Sequence, residues 1–168
     1  MNVLTRIRRR GRRHALVTAV SALAIVATFV VTTMTSATAA GTLLSQGKPA
    51  TASSTENVGT PASAAFDGNT GTRWSSAFTD PQWIQVDLGA SASISQVVLQ
   101  WEAAYATAFQ IQTSADGTNW TTIYSTTSGT GGTQTLNVTG TGRYIRVYGT
   151  ARATQYGYSL WEFGVHTA

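Results

Sequence analysis

A turn between residues 64 and 74 carries side chains of the kind that bind a hard cation. Asp67 offers a carboxylate and Thr72 a hydroxyl, and two glycines between them let the backbone curl until carbonyl oxygens face inward. Near the other end of the chain, Glu162 is the only acidic residue of an apolar segment. Because burying an unpaired charge is costly, the pattern predicts that one cation joins the two ends. The alternative is a metal-free turn, with backbone amides bonded to Glu162.

The sequence offers little for catalysis. It has no cysteine and two histidines, of which His14 lies near the N-terminus and His166 two residues from the C-terminus. This composition leaves no Ser-His-Asp or Cys-His arrangement and no zinc-type ligand cluster. Two carboxylates could cleave a glycoside, but those not claimed by the cation turn stand at a strand end or on separate predicted loops. We therefore expect a protein that is not an enzyme.

The N-terminal segment, residues 1–40, has the three parts of a secretory signal peptide. Six of the 11 basic residues lie within the first 13 positions, an apolar run follows from Ala15 to Val31, and Ala37-Thr38-Ala39-Ala40 ends the segment. Without it, five basic residues face 7 acidic ones, a net charge of −2. We expect cleavage after Ala39 or Ala40 and a secreted mature chain that neither binds nucleic acid nor inserts into a membrane. An uncleaved membrane anchor is the alternative.

The remaining residues, 41–168, predict one all-β domain. Apolar residues alternate with polar ones at a period of two, as in Ile84, Val86 and Leu88, and no segment keeps a helical period. Clusters of Gly, Asp, Asn, Ser and Thr separate these runs. About eight short strands joined by turns indicate an antiparallel jelly-roll β-sandwich.

Five short blocks follow one another along the chain. They begin at Ala64-Ala65-Phe66-Asp67-Gly68, Gln82-Trp83-Ile84-Gln85-Val86, Ser114-Ala115-Asp116-Gly117, Gly142-Arg143-Tyr144-Ile145 and Ser159-Leu160-Trp161-Glu162-Phe163. In this order they resemble the discoidin domain, also called the coagulation factor 5/8 type C domain, and its bacterial relatives, the family 32 carbohydrate-binding modules. Each block alone is a weak signal, and the five in order are a strong one. The resemblance covers roughly residues 45–166 and adds support for the jelly roll.

The resemblance implies a structural calcium ion at the turn. Its ligands would be oxygen atoms throughout, which suits Ca²⁺ better than zinc or copper. Eukaryotic discoidin domains usually join their termini by a disulfide, and this cysteine-free chain would use the metal instead. By position, the ligands would come from Ala64, Asp67, Asn69, Thr72, Trp161 and Glu162.

A sugar site needs an aromatic face and a few polar side chains for the hydroxyl groups. In the family, the loop that begins at Trp101 commonly contributes to this site, often with a basic residue where Trp101 stands. We expect Trp101 to stack on a sugar ring, with Glu102 as a hydroxyl acceptor and Tyr105 beside them. The alternative is that Trp101 continues the inward face formed by Val97 and Leu99.

Two further loops are predicted to complete the sugar site. One contains Gln155 and Tyr156 before the last strand, and the other contains Ser76 and Phe78 after the cation turn. Glu56, in the first long loop, is a weaker candidate. The basic cluster that an anionic ligand would require is missing from these loops.

These features predict a secreted, non-catalytic carbohydrate-binding module or small lectin that acts as a monomer. Its ligand would be a polysaccharide or other glycan, such as a glucan or a galactose-type glycan. The alternatives are a cell-surface adhesion module that binds protein or phospholipid, and an accessory chain that docks onto a separate enzyme. The few basic residues of the predicted loops disfavour an anionic lipid surface.

Overall fold

A computed structural model describes residues 41–167 of the chain. The predicted signal peptide, residues 1–40, lies outside the described residues. Among the described residues, none belongs to a helix with the length and hydropathy needed to cross a membrane. Their regular structure consists of seven β-strands and one short 3-10 helix at Ala62–Ala65. The strands are β1 (Ala50–Ala52), β2 (Trp74–Ser75), β3 (Gln82–Trp101), β4 (Ala106–Ser114), β5 (Thr121–Thr126), β6 (Thr133–Arg152) and β7 (Ser159–His166).

The strands form two antiparallel layers that share their two longest members. The first half of β3 pairs with β1 and with the second half of β6, which also pairs with β4, and β4 pairs with β5. The second half of β3 pairs with the first half of β6 and with β7, and β7 pairs with β2. The prediction of an all-β antiparallel sandwich is therefore confirmed.

The described residues contain seven strands where we expected about eight. The difference arises because β3 and β6 are each 20 residues long and run through both layers. Both strands bend near their middle, where the register between them shifts after Asp87 and Gly89 takes a φ of 85°. A positive φ is easily adopted only by glycine, so this residue lets β3 turn from one layer into the other.

The core lies between the two layers and follows the predicted alternation. Ile84, Val86 and Leu88 are buried, while the residues between them are partly exposed. Successive side chains of a strand point to opposite faces, so one face of each layer supplies the core. Phe66 beside the 3-10 helix and Phe163 of β7 contact each other across this core, with ring centroids 5.3 Å apart.

Loops at the strand ends carry the polar residues of interest. The segment between the 3-10 helix and β2 contains the predicted cation turn. The β3–β4 loop and the β6–β7 loop contain most of the predicted sugar-binding residues. Backbone hydrogen bonds join these two loops, since the amide of Glu102 donates to Ser159 and the amide of Ser159 donates to Ala104. The scaffold therefore brings the two predicted sugar-binding loops together.

Candidate functional site

A cleft of about 310 Å³ opens where four loops meet. The loops join β1 to β2, β2 to β3, β3 to β4 and β6 to β7. The cleft combines exposed aromatic rings, carboxylates and a guanidinium group on a floor of buried serines. Its lining includes the side chains of Glu56, Arg73, Phe78, Glu102, Thr154 and Tyr156.

Phe78 and Tyr156 form an aromatic wall on the cleft. Their ring centroids are 5.8 Å apart and the planes meet at 82°, an edge-to-face contact that aromatic pairs favour. Both rings remain open to solvent, with Phe78 46% and Tyr156 53% exposed. Large exposed aromatic groups beside one another are unusual unless they bind something. The structure thus brings together two predicted site residues from different loops.

Two carboxylates and one guanidinium group line the same cleft. A carboxylate oxygen of Glu102 accepts a hydrogen bond from the amide of Ala104 at 2.9 Å. The Nε of Arg73 donates to Ser75 at 3.1 Å, and its guanidinium group lies 5.6 Å from the ring centroid of Trp161. The ion pairs found in residues 41–167 are Arg143–Asp87 and Arg152–Asp80. Neither Glu56 nor Glu102 is thus part of an ion pair within residues 41–167.

The prediction that Trp101 offers an exposed stacking face is wrong. Trp101 is only 4% exposed, and its ring packs edge-on against Phe109 with centroids 5.7 Å apart. Its indole nitrogen donates to Gln134 at 2.8 Å. Trp101 continues the inward face of β3 because it stands two residues after the buried Leu99. The side chain of Trp101 therefore points into the core, in line with the alternative that it continues the inward face formed by Val97 and Leu99.

The other predicted sugar-binding residues do not line the cleft. Ser76 is fully buried, where its hydroxyl accepts a hydrogen bond from the amide of Tyr158 at 2.9 Å, so it is not available to a ligand. Tyr105 is half-buried and packs beside Gly131. Gln155 is exposed on the β6–β7 loop, outside the cleft lining.

The sequence predicts neither Arg73 nor Thr154 for this cleft, and it favours Glu56 only weakly. Arg73 lies within the segment of the predicted cation turn, where nothing in its sequence context indicates a second role. Thr154 precedes the two predicted residues of the β6–β7 loop, but no pattern distinguishes it from the rest of the loop. Glu56 was a weaker candidate. Its position after β1 places it in the cleft because its amide donates to Ser75 at 2.7 Å, which ties the first long loop to β2.

The predicted cation turn is closed by hydrogen bonds to Asp67. One carboxylate oxygen accepts from the amide of Asn69 at 2.8 Å, and the other accepts from the hydroxyl of Thr72 at 2.7 Å. Gly68 takes a φ of 77°, and a side chain there would collide with the amide group of Gln46. Asp67 and Thr72 are therefore already arranged with their oxygen atoms around one turn.

Glu162 of β7 faces this turn, as the sequence predicted. Burial raises the pKa of the Glu162 carboxyl, and the neighbouring Asp67 carboxylate raises it further, against hydrogen bonds from the amides of Gly68 and Asn69. One carboxylate oxygen of Glu162 is buried and has no hydrogen-bond partner. An unpartnered buried carboxylate oxygen beside a second carboxylate fits a hard cation. No three His, Cys, Asp or Glu side chains converge within residues 41–167, so backbone and hydroxyl oxygens would supply the other ligands.

The chain was compared with known families and structures. The model of the F5/8 type C domain matches residues 49–163. Chitosan-binding module 1 of a chitosanase/glucanase from Paenibacillus sp. IK-5 is 53% identical, with 75% of this chain and 99% of the module covered and a TM-score of 0.73. Chitosan-binding module 2 of the same enzyme, solved with chitotriose, is 49% identical over 74% of this chain and 99% of the module, with a TM-score of 0.72.

More distant structures share the fold. The family 32 carbohydrate-binding module of NanJ from C. perfringens, solved with galactose, is 22% identical, covers 75% of this chain and 98% of its own, and has a TM-score of 0.66. A comparison with curated protein sequences found no match. The family model spans most of the described residues, and the similarity extends over almost the whole length of the chitosan-binding modules. The chain therefore belongs to the F5/8 type C domain family.

Proposed function

We propose that this chain is a secreted, non-catalytic carbohydrate-binding module whose cleft binds an amino-sugar polysaccharide of the chitosan type. The observation that carries the proposal is the cleft itself, where the exposed rings of Phe78 and Tyr156 stand beside the carboxylates of Glu56 and Glu102. The non-catalytic part of the proposal is supported by the lining of the cleft, since the one histidine of residues 41–167, His166, does not belong to it.

The aromatic wall supplies an apolar surface for a sugar ring. A pyranose has faces of C–H groups that pack on an aromatic ring, and removing both surfaces from water is favourable. The edge-to-face contact fixes the two rings at about a right angle, so the face of one ring and the edge of the other meet at a corner. Such a corner can hold one sugar unit while the rest of the polysaccharide extends beyond the cleft.

The two carboxylates select among sugars by charge. Chitosan carries an ammonium group on each glucosamine unit, and an ammonium group donates strong hydrogen bonds to carboxylates. Because neither Glu56 nor Glu102 is ion-paired to a base in the described chain, both can accept such bonds without breaking an existing pair. Arg73, the one basic residue in the lining of the cleft, donates to Ser75 and lies near the ring of Trp161, and it makes no ion pair with either carboxylate. Two relatives that are about half identical to this chain are chitosan-binding modules.

Calorimetric titration of the mature chain, residues 41–168, tests this proposal. The ligands are a chitosan oligosaccharide, its fully N-acetylated counterpart, a neutral cello-oligosaccharide and galactose. We expect binding to the chitosan oligosaccharide, weaker binding to the other three, and a loss of the preference in Glu102→Gln. Equal binding to the neutral glucan would support the glucan alternative. No binding to any glycan by the folded protein would reject the carbohydrate proposal in favour of a protein or lipid ligand.

We also propose that the turn at Asp67 binds a structural calcium ion together with Glu162. The support is the unpartnered buried oxygen of Glu162 beside the Asp67 carboxylate. A cation would neutralise the two facing charges, and it would join the segment before β2 to β7. The oxygen atoms of Thr72 and the backbone carbonyls of Ala64, Asn69 and Trp161 would complete the set. Calcium bound only by the folded state would stabilise it by mass action.

The proposed secretion and monomeric state can be checked with the full chain. We expect the protein recovered from the culture medium of an exporting bacterial host to begin at Ala40 or Gly41. Light scattering of that product should give the mass of one copy. Full-length protein retained in the membrane fraction would instead support an uncleaved anchor.

A further inference from the structure

The two rings of the aromatic wall stand on loops that lack regular secondary structure. Phe78 lies in residues 76–81, between β2 and β3, and Tyr156 lies in residues 153–158, between β6 and β7. Fixing an irregular loop costs conformational entropy, so a binding wall built on two such loops needs other contacts to hold it. The rings themselves are about half exposed and cannot anchor the loops by burial.

Arg152 ties the Tyr156 loop to the Phe78 loop. Its Nε donates to a carboxylate oxygen of Asp80 at 3.1 Å, and the two side chains are 22% and 33% exposed. One terminal nitrogen of the same guanidinium group donates to the backbone carbonyls of Gln155 and Tyr156, at 3.2 and 3.1 Å. The planar fork of arginine makes the three bonds from two nitrogen atoms in one plane, a geometry that the single ammonium nitrogen of lysine cannot reproduce.

Tyr158 completes the connection from the other side of Tyr156. Its hydroxyl donates to the second carboxylate oxygen of Asp80. Its ring is buried over Gly149 of β6, where a Cβ would lie 2.8 Å from the ring. The Asp80 carboxylate therefore accepts from residues on both sides of Tyr156, and one of them is anchored in the core.

Gly157 allows the two loops to approach at backbone distance. A Cβ at this position would lie 2.5 Å from the carbonyl oxygen of Ser76 and 2.8 Å from that of Ala77. Real side chains do not tolerate such distances, so the close approach depends on glycine. The backbones of the two loops are thus in direct contact at Gly157, and the bonds to Asp80 form a second connection between the loops.

We propose that Asp80 and Arg152 are positioning residues of the glycan site, an inference that rests on the proposed function. Neither lines the cleft, so neither touches the sugar unit held there. They act through Tyr156 by holding its backbone against the loop of Phe78, which keeps the two rings at their edge-to-face angle. We call these contacts of Asp80 with Arg152 and Tyr158 the brace. With the brace, the free protein presents the aromatic wall in its binding arrangement. Without it, the protein must order the Tyr156 loop on binding.

Titration of Arg152→Met and Asp80→Asn with the chitosan oligosaccharide tests the proposal. Each variant should bind about five- to tenfold more weakly, which is the size of the cost of ordering one side chain and its loop on binding. Arg152→Lys keeps the charge without the fork and should fall between wild type and Arg152→Met. The matched control is Arg143→Met, which removes the other Arg–Asp pair of the described chain, away from the cleft, and should bind as wild type does.

A double-mutant cycle separates positioning from general damage. If Arg152 acts through Tyr156, Arg152→Met should cost almost nothing further in a Tyr156→Ala background. An equal loss in both backgrounds would overturn the proposal, since Arg152 would then act on the sugar or on the fold directly. Unfolding curves of the same variants show whether each remains folded at the temperature of the titration.

A ligand-free measurement keeps this inference distinct from the proposed function. Nuclear Overhauser contacts between the rings of Phe78 and Tyr156 should be present in wild type and in Arg143→Met, and weakened in Arg152→Met and Asp80→Asn. Ring contacts that persist in the last two variants would overturn the brace whatever the titrations show. If the variants lose the ring contacts and the wild-type protein binds no glycan, the proposed function is rejected, but the role of the brace in holding the two rings together is supported.

Discussion

Two regions of this molecule carry pairs of carboxylates, and the pairs differ in what surrounds them. In the cleft, Glu56 and Glu102 stand beside exposed aromatic rings on a surface open to solvent. At the turn, Asp67 and Glu162 face each other, and one oxygen of Glu162 is buried without a partner. The two regions thus differ at Glu162, which is half-buried and has one oxygen shielded from solvent beside a second carboxylate, whereas Glu56 of the cleft is exposed.

Burial at the level of single oxygen atoms decides what these carboxylates can bind. An exposed carboxylate keeps its water until a ligand replaces it, so it can discriminate among ligands at little cost to the fold. A carboxylate oxygen that is buried without a partner, as in Glu162, has already lost its water and destabilises the fold until a cation compensates it. We therefore propose that the cleft serves recognition and the turn serves stabilisation.

The largest effect should be that of calcium on stability. Calcium at 100 times its dissociation constant should raise the free energy of unfolding by about 2.7 kcal/mol over chelated protein. Glu162→Gln should lose this response. In chelator, however, the variant should be at least as stable as wild type, because the amide removes a charge that faces Asp67. Urea unfolding with calcium and with chelator measures both quantities.

Glu102→Gln is the matched control for the calcium experiment, since it removes a carboxylate from the cleft rather than from the turn. It should keep the full calcium response. A wild-type protein whose unfolding is indifferent to calcium would contradict the cation and favour the metal-free turn. A response that persists in Glu162→Gln would place the ion elsewhere.

The next effect should be the loss of glycan binding on removal of the aromatic wall. Tyr156→Ala takes away a ring that is about half exposed and should weaken binding by roughly tenfold, or about 1.4 kcal/mol. Its stability should change little because the ring contributes little to the core. Tyr156→Phe keeps the ring and should bind nearly as wild type does. Titration at fixed calcium concentration measures the difference, and equal losses in the two variants would point to the hydroxyl instead.

A smaller effect should show that the cleft carboxylate Glu56 acts on the ligand through its charge, because the contribution of Glu56 to chitosan binding should depend on salt. Glu56 is exposed, so Glu56→Gln should weaken chitosan binding by a few-fold at low ionic strength. The difference from wild type should shrink as salt screens the attraction. Binding of a neutral glucan should be the same in both proteins. A loss that does not depend on salt or on the charge of the ligand would mean that Glu56 only shapes the loop.

The sequence predicted the sandwich, because period-two alternation determines which face of a strand is buried. Ile84, Val86 and Leu88 point into the core as that pattern requires. The number of strands was harder to predict, since β3 and β6 each continue through a bend into the second layer. In the sequence, Gly89 looks like a turn between two short strands. Only the strand pairing shows that the residues on both sides of it belong to one continuous strand, β3.

The cleft was predicted in part. Phe78, Glu102 and Tyr156 line it, whereas Trp101 follows the strand period into the core. Arg73 and Thr154 reach the cleft through contacts between loops that are distant in sequence, and no local pattern reports such contacts. The approach of Asp67 and Glu162 was easier to foresee, because an acidic residue in an apolar strand has few ways to be satisfied.

The smallest effect should come from a further carboxylate, Asp87, which belongs to neither pair. Asp87 accepts two hydrogen bonds from Arg143 at 2.7 Å, and this partner lowers the pKa of Asp87 from 3.8 to about 2, against the opposing effect of desolvation. A lowered pKa means that the unfolded chain binds the proton more readily. The pair therefore stabilises the fold above about pH 4, and the contribution disappears as the pH falls to about 2.

Asp87→Asn should consequently lower the free energy of unfolding by at most about 1 kcal/mol at pH 7, the usual limit for a partly exposed ion pair. The difference from wild type should close between pH 4 and pH 2, which urea unfolding across that range can follow. Glycan and calcium binding should not change, since Asp87 contacts neither region. Arg143→Met should reproduce the same loss and add nothing to it in the double variant. A change in glycan affinity would instead mean that the pair supports the cleft, and the separation of roles among the carboxylates would then fail.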